Sequence, residues 1–203
     1  MTTFYLIRHG SNDFAGKTLV GRTPGIHLND AGRAEVDRLA DELAREPIQH
    51  LFSSPMERCR ETAAPIAKRL NLEMQILDGL VEVEFGDWTG QEIAEMNSDE
   101  LWQKWNTFRS GGRIPNGESI WEVQTRMIAV IEKLRRDFPN QTLALFSHGD
   151  PLRAAITYYL GMPIDFIHRL ELSPASVSVL MIDDWTAKVQ ALNVRFSKTR
   201  LQP

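Results

Sequence analysis

The chain has 203 residues, of which 42% are hydrophobic, and its 23 basic and 27 acidic residues give a formal net charge of −4. A chain of this length buries a core without disulfides or metals, so we expect a single domain over 1–203. Its acidity disfavours nucleic acid or an anionic membrane as a partner. One cysteine, Cys59, excludes an internal disulfide and a multi-cysteine zinc site. The apolar run 4–7 is too short for a signal peptide, and no segment has the length of a membrane span, so we expect a cytoplasmic protein.

Short apolar runs alternate with amphipathic segments along the chain. The patterns predict strands at 4–7, 50–53, 74–77, 142–146, 176–182 and 189–194. They predict helices after an N-cap at Asn29, after Ser54-Pro55, over 118–137 and over 150–160. Pro65 lies inside the second helical pattern and is expected to bend or break that helix. The alternation predicts an α/β fold with a mostly parallel central sheet flanked by helices on both faces.

The stretch 78–118 differs in character from the rest of the chain. It is rich in glycine and holds three of the five tryptophans, namely Trp88, Trp102 and Trp105. We expect loops and one or two short helices here, around 91–96 and 98–108. Such a stretch is typical of an insertion or lid over a site.

Polar residues stand where the predicted strands end. The first strand ends in Arg8-His9-Gly10 and the fourth in Ser147-His148-Gly149. Arg58 follows the second strand, and Glu82 follows the third. The carboxyl ends of parallel strands meet at one crevice, so these side chains are expected to converge there. Two histidines and two arginines with one carboxylate predict a site for a phosphoryl group.

Three other interpretations of these residues are weaker. The segment from Gly10 to Thr18 resembles a P-loop, but it has five residues between its glycines instead of four. A cysteine phosphatase needs an arginine six residues after its cysteine, and Pro65 occupies that position after Cys59. Two histidines and a glutamate could bind zinc in a metal-dependent hydrolase, but the neighbouring arginines would repel a dication.

Five segments in order resemble the histidine phosphatase superfamily, also called the phosphoglycerate mutase-like family. They are Leu6-Ile7-Arg8-His9-Gly10, Ser53 to Ala63, Glu82 to Gly90, Asn116-Gly117-Glu118-Ser119 followed by Arg126, and Ser147-His148-Gly149. The resemblance implies a three-layer fold and a phosphohistidine mechanism without metal or other cofactor. It implies that His9 is the nucleophile and Glu82 the proton donor and later base. It implies that the phosphate is bound by Arg8, Arg58, His148 and Gly149.

The sequence also departs from the pattern of many family members. Ser11 stands where many have glutamate after Arg-His-Gly, and Asp150 stands where mutases often have asparagine. These departures leave the substrate class open, with Ser11, Gly21, Arg22 and Asp150 as candidate substrate contacts.

The function expected is hydrolysis of a small phosphorylated metabolite, with no nucleic acid or membrane as partner. The alternatives are a cofactor-dependent phosphoglycerate mutase, a ribazole phosphate phosphatase of cobalamin synthesis, and a non-catalytic phospho-ligand binder. The lid stretch 91–118 has three basic and five acidic residues, and Asp150 adds a negative charge nearby. Such a field disfavours the polyanionic intermediate of a mutase and so favours a phosphatase. The sequence does not specify the oligomeric state.

Overall fold

The computed structural model describes residues 1–196 and contains a six-stranded sheet in the order β3-β2-β4-β1-β5-β6. The strands are β1 (Thr2–Arg8), β2 (His50–Ser53), β3 (Met74–Ile76), β4 (Thr142–Ser147), β5 (Val177–Ile182) and β6 (Ala187–Val194). The helices are α1 (Asp30–Leu43), α2 (Glu57–Leu70), α3 (Glu100–Thr107), α4 (Ile120–Asp137) and α5 (Gly149–Tyr159). The domain assignment over 1–203 stays a prediction, and its last residues, 197–203, lie outside the described part of the chain.

Strands β3, β2, β4 and β1 are neighbours in the sheet and pair in parallel. Strand β5 pairs antiparallel with both β1 and β6. Two hydrophobic cores lie on the two faces of this sheet. Phe4 and Leu6 of β1 join one core with α4 and α5, while Ile7 joins the other with α1 and α2. Successive strand residues point to opposite faces, so one strand serves both cores. The predicted α/β class, with a mostly parallel sheet between helices, is confirmed.

The register of the two central strands positions the functional residues. Arg8 at the end of β1 lies opposite Ser147 at the end of β4. The next residue of each strand is a histidine, so His9 and His148 leave the sheet side by side. Their ring centroids are 5.3 Å apart.

The stretch 78–118 forms short helical turns around a third hydrophobic core. Trp88 and Trp105 are buried there with Ile120 of α4 and Ala154 of α5. The expected helix around 98–108 is present as α3, which begins after its N-cap, Asp99. The expected helix at 91–96 is wrong, because only a short 3-10 turn forms, at Glu95–Ser98.

Helix α2 differs from its prediction in two respects. The sequence predicts a bend or a break at Pro65; the helix runs without interruption through that residue, so a break is wrong and a bend stays a prediction. The buried face of α2, which includes Cys59 and Ile66 on either side of the proline, packs against the sheet and holds the helix together. The N-cap is Met56 and not Ser54, and the Ser54 hydroxyl lies 2.9 Å from His148 Nε2.

Candidate active site

A pocket of about 330 Å³ opens at the carboxyl ends of the parallel strands. Five of the residues predicted for catalysis or phosphate binding line it, and His148 lies directly beneath them, fully buried against His9. The lining residues of this group are Arg8, His9, Arg58, Glu82 and Gly149. Strand ends and the first turns of the following helices therefore bring together side chains that are far apart in the chain.

His9 is held as a neutral imidazole with one nitrogen free. Its Nδ1 lies 2.8 Å from the carbonyl oxygen of Gly10. A carbonyl only accepts, so Nδ1 carries the proton and Nε2 keeps its lone pair. Burial, aided by the charges of Arg58 and Arg8, lowers the pKa of His9 to about 3. The Nε2 atom can therefore act as a nucleophile over the whole physiological pH range.

Arg8 and Arg58 bring two cations to this nucleophile. Arg8 Nη1 donates to the Leu172 carbonyl, and Arg58 Nη2 donates to the Gly21 carbonyl over 2.8 Å. Neither guanidinium forms an ion pair with a described residue, and the buried Arg8 Nε and Arg58 Nη1 have no hydrogen-bond partner there. Buried donors without partners are costly, so the two side chains are suited to an anion bound in the pocket.

Glu82 is the carboxyl group of the pocket. Its Oε1 accepts from the amide of Val83 over 2.9 Å, and its Oε2 lies 3.7 Å from His148 Nδ1. Burial, with a further contribution from the charge of Asp150, raises the pKa of Glu82. A raised pKa keeps a carboxyl group protonated closer to neutral pH and suits it to proton donation. Glu84 does not line the pocket and instead lies 3.5 Å from Arg22.

His148 is fully buried, and its orientation depends on Ser54. The Ser54 Oγ lies 2.9 Å from His148 Nε2 and also accepts from the Met56 amide over 3.3 Å. The hydroxyl of Ser54 can donate its proton to Nε2, and in that tautomer the imidazole proton is on Nδ1, the atom nearer Glu82. Burial, followed by the charge of Arg58, holds the pKa of His148 well below its usual value. His148 is thus a neutral donor, and Ser54 is a residue that sequence reasoning treated only as a helix cap.

The far wall of the pocket is a charged cluster that the sequence motifs did not reveal. Asp150 Oδ2 lies 2.7 Å from Arg109 Nη1, and its Oδ1 lies 3.1 Å from Arg153 Nη1. Burial opposes ionisation of Asp150, but Arg109 and Arg153 hold its pKa well below the usual value. Arg109 Nη2 also donates to His168 Nε2 over 2.9 Å, and Asn106 completes the wall.

This cluster corrects the expectation that the lid makes the pocket rim negative. Asp150 is paired with two guanidiniums, and none of the five acidic residues of 91–118 lines the pocket. The lid instead contributes Arg109, which is buried. The spacing of Asp150 and Arg153 on one helix face is a sequence signal that could have revealed part of this wall. Arg109, in an irregular stretch, had no such signal.

Two of the four candidate substrate contacts lie elsewhere. Ser11 donates from its amide and hydroxyl to Glu35, each over 2.9 Å, and does not line the pocket. Arg22 also lies off the pocket wall and donates from Nε to the Glu82 carbonyl. Gly21 and Asp150 do line the pocket. Gly21 has a φ of +47°, which favours glycine, and its carbonyl holds Arg58.

Within residues 1–196, no group of three or more His, Cys, Asp or Glu side chains is arranged to hold a metal ion. No helix there is both long and apolar enough to cross a membrane.

Comparison with known proteins gives one family across nearly the whole chain. The model of the histidine phosphatase superfamily, branch 1, matches residues 4–195. Phosphoserine phosphatase 1 of Hydrogenobacter thermophilus is 29% identical over 199 residues, which cover 96% of this chain and 93% of that protein. A probable phosphoglycerate mutase, GpmB, of Photorhabdus laumondii is 32% identical, with coverage of 88% and 84%.

Solved structures agree on the fold. YhfR of Bacillus stearothermophilus superposes with a TM-score of 0.89 at 21% identity and covers 95% of this chain and 97% of its own. Phosphoserine phosphatase of Entamoeba histolytica, solved with 3-phosphoglyceric acid, has a TM-score of 0.85 at 25% identity, with coverage of 96% and 98%. The resemblance read from the five motifs is confirmed: the chain belongs to the histidine phosphatase superfamily.

Proposed function

We propose that this protein is a phosphatase that hydrolyses small phosphomonoesters through a phosphohistidine formed on His9. The observation that carries the proposal is the placement of a neutral His9, with a free Nε2, between the guanidiniums of Arg8 and Arg58, which have no ion-pair partner in the described chain. A dianionic phosphoryl group neutralises those two cations and brings its phosphorus to the nucleophile.

In the first step, Arg8, Arg58 and the Nδ1–H of His148 bind the phosphoryl oxygens. The Nε2 lone pair of His9 attacks phosphorus, and the bond from phosphorus to the ester oxygen breaks. Protonated Glu82 gives its proton to the departing alkoxide, which leaves as an alcohol. The Gly10 carbonyl keeps its bond to His9 Nδ1–H and stabilises the positive charge that develops on the phosphorylated ring.

In the second step, the Glu82 carboxylate takes a proton from water as that water attacks the phosphohistidine. The bond between phosphorus and Nε2 breaks, inorganic phosphate forms, and His9 returns to its neutral state. Glu82 is then protonated again and ready for the next substrate. One carboxyl group thus serves both steps, in line with its raised pKa.

The shape and charge of the far wall favour hydrolysis over a mutase. A mutase must retain an intermediate with a second phosphate, which needs additional cations that are free to bind it. Arg109 and Arg153 are both bonded to Asp150, so their charge is already partly neutralised. The rest of the lining combines apolar side chains such as Phe85 and Trp102 with Asn106 and His168, which suits a small metabolite with both apolar and polar groups next to its phosphate. The cytoplasmic location stays a prediction from the sequence.

A panel of phosphorylated metabolites tests this function. Phosphate release is measured from phosphoserine, 3-phosphoglycerate, sugar phosphates, ribazole phosphate and p-nitrophenyl phosphate, with and without chelator, and with the His9→Ala variant as control. We expect release that survives chelator and depends on His9. Interconversion of 2- and 3-phosphoglycerate that greatly outpaces phosphate release would establish the mutase instead. Binding of phosphorylated ligands without any turnover would establish a non-catalytic binder.

A further inference from the structure

A charged network lies behind the backbone of Glu82, outside the pocket. Arg22 Nε and Arg126 Nη2 both donate to the Glu82 carbonyl oxygen, over 2.9 and 3.1 Å. The carboxylate of Glu118 joins the two guanidiniums: its Oε2 lies 2.8 Å from Arg22 Nη2, and its Oε1 lies 3.1 Å from Arg126 Nε. None of these three residues lines the pocket, and two of them contact the backbone of Glu82, which does.

The network also holds the residues on either side of Glu82. Arg126 Nη1 donates to the Gly79 carbonyl over 2.9 Å. Glu118 Oε2 accepts from the Glu84 amide over 3.0 Å, and the Glu118 amide donates to the Glu84 carbonyl over the same distance. A Cβ on Gly117 would lie only 2.4 Å from the Glu84 carbonyl oxygen, so this close approach requires glycine. The segment 79–84 is therefore fastened at three backbone positions.

This segment needs external support because it has no regular structure. Residues 81–85 belong to no helix or strand, so their backbone groups lack the partners that such elements provide. A proton donor must lie within about 3 Å of the atom that receives the proton. A displacement of about 1 Å in a catalytic group can cost on the order of 100-fold in rate. Side-chain bonds to the backbone at Glu82 take the place of a helix or strand here.

The charges of Arg22, Glu118 and Arg126 favour the bonds that hold the Glu82 backbone. Burial opposes ionisation of Glu118, but the hydrogen bond and charge of Arg126, the Glu84 amide and the charge of Arg22 lower its pKa overall. An ionised Glu118 between two guanidiniums orients both of them towards one carbonyl oxygen. Hydrogen bonds from charged donors are about twice as strong as neutral ones, so the carbonyl is held firmly.

We propose that Arg22, Glu118 and Arg126 are positioning residues that fix the Glu82 carboxyl group for proton transfer to the leaving group. The role rests on the phosphatase function proposed above. It is indirect, because Arg22 and Arg126 contact Glu82 at its backbone carbonyl and not at its carboxyl group. It gives the segment Asn116-Gly117-Glu118-Ser119 and Arg126 a function in the reaction. It also replaces the expected role of Arg22 as a substrate contact.

The test compares two substrates that differ in their need for a proton. The alkoxide of glycerol phosphate must be protonated as it leaves, whereas p-nitrophenolate leaves without much help. In Arg22→Gln we expect kcat/KM for glycerol phosphate to fall about tenfold or more beyond any loss on p-nitrophenyl phosphate. The matched control is Arg135→Gln. Arg135 lies on the same helix as Arg126, and its guanidinium forms ion pairs with Glu132 and Asp184. The control is expected to match wild type on both substrates.

A second variant and a double variant keep the test independent of folding. Glu118→Gln retains the shape of the side chain and is expected to show the same substrate selectivity in its loss as Arg22→Gln. Glu82→Gln combined with Arg22→Gln is expected to lose no more on glycerol phosphate than Glu82→Gln alone, because a positioning role for Arg22 requires the Glu82 carboxyl group. Equal losses on both substrates, or additive losses in the double variant, would overturn the positioning role while leaving the phosphatase intact. A wild-type protein that releases phosphate from neither substrate would overturn the proposed function and this role with it.

Discussion

Replacing Arg58 with methionine removes one cation from the phosphate site and keeps most of the side-chain volume. Arg58 is 1% exposed, and its Nη1 has no partner in residues 1–196. A hydrogen bond from a charged group to the phosphoryl oxygens is worth about 1.5–3 kcal/mol. We therefore expect kcat/KM to fall roughly 10- to 150-fold, since about 1.4 kcal/mol corresponds to a factor of ten.

The same substitution should move the pH profile, because Arg58 acts on both titrating groups. After burial, the charge of Arg58 is the next cause of the low pKa of His9. Without it that pKa rises, more of His9 is protonated in acid, and the acidic limb of kcat/KM moves to higher pH. Burial raises the pKa of Glu82 and Arg58 opposes that rise. Loss of Arg58 therefore raises the pKa of Glu82 further, and the alkaline limb also moves to higher pH.

Stability should not fall together with activity. A buried guanidinium without an ion pair costs free energy of folding, and its removal offsets the loss of the hydrogen bond to the Gly21 carbonyl, so Arg58→Met should unfold at the same temperature as wild type or higher. The matched control is Arg60→Ala on the same helix, because Arg60 is exposed and outside the pocket. An Arg58→Met variant with wild-type vanadate inhibition and an unmoved pH profile would refute this account of the site.

Three further outcomes follow from individual contacts. His9→Ala should lower turnover by several orders of magnitude, and quenched wild type should carry an acid-labile, alkali-stable phosphate; an acid-stable adduct would contradict a phosphohistidine. Ser54→Ala should lower kcat about 2- to 10-fold with little change in KM, and nitrogen NMR should show the His148 proton no longer confined to Nδ1. Cys59→Ala, which removes a thiol 3.4 Å from the same Nε2, is the packing control, and an equal loss there would rule out the hydroxyl bond as the cause. Because the pKa of Asp150 is lowered in the folded state, its ionised form stabilises the protein above the unfolded pKa of about 3.9, and this stabilisation is lost as the pH falls towards the folded value. The melting temperature of Asp150→Asn should therefore lie furthest below wild type near neutral pH and approach it in acid, whereas a gap independent of pH would argue against the charge pairing.

The residues at strand ends could be predicted because their placement follows from topology alone. His9 and His148 each come directly after an apolar run, and parallel pairing of those runs fixes their proximity. Arg58 follows the same logic, as the second residue of the helix after β2. At these positions the local sequence pattern and the sheet topology predict the same location for the side chain.

The remaining features depend on contacts between segments with no shared pattern. Arg109 reaches Asp150 from an irregular stretch, and its position follows from the packing of tryptophans in the third core. Arg22 lies in a glycine-containing loop typical of a ligand contact, yet its guanidinium is taken by Glu118 and the Glu82 backbone. Pro65 predicts a bend or a break in α2, and packing of the helix against the sheet prevents the break.

The pairing of Arg8 with Ser147 has a consequence for how the chain folds as it is synthesised. Both neighbours of β1 in the sheet, β4 and β5, begin only at Thr142 and Val177. The apolar first strand therefore has no sheet partner until β4, more than 130 residues further along the sequence, has left the ribosome. Long-range pairing of this kind slows folding and leaves an apolar segment exposed to aggregation in the meantime. Fragments that end before β4 should consequently neither fold nor stay dispersed, and β1 is the segment through which they should associate.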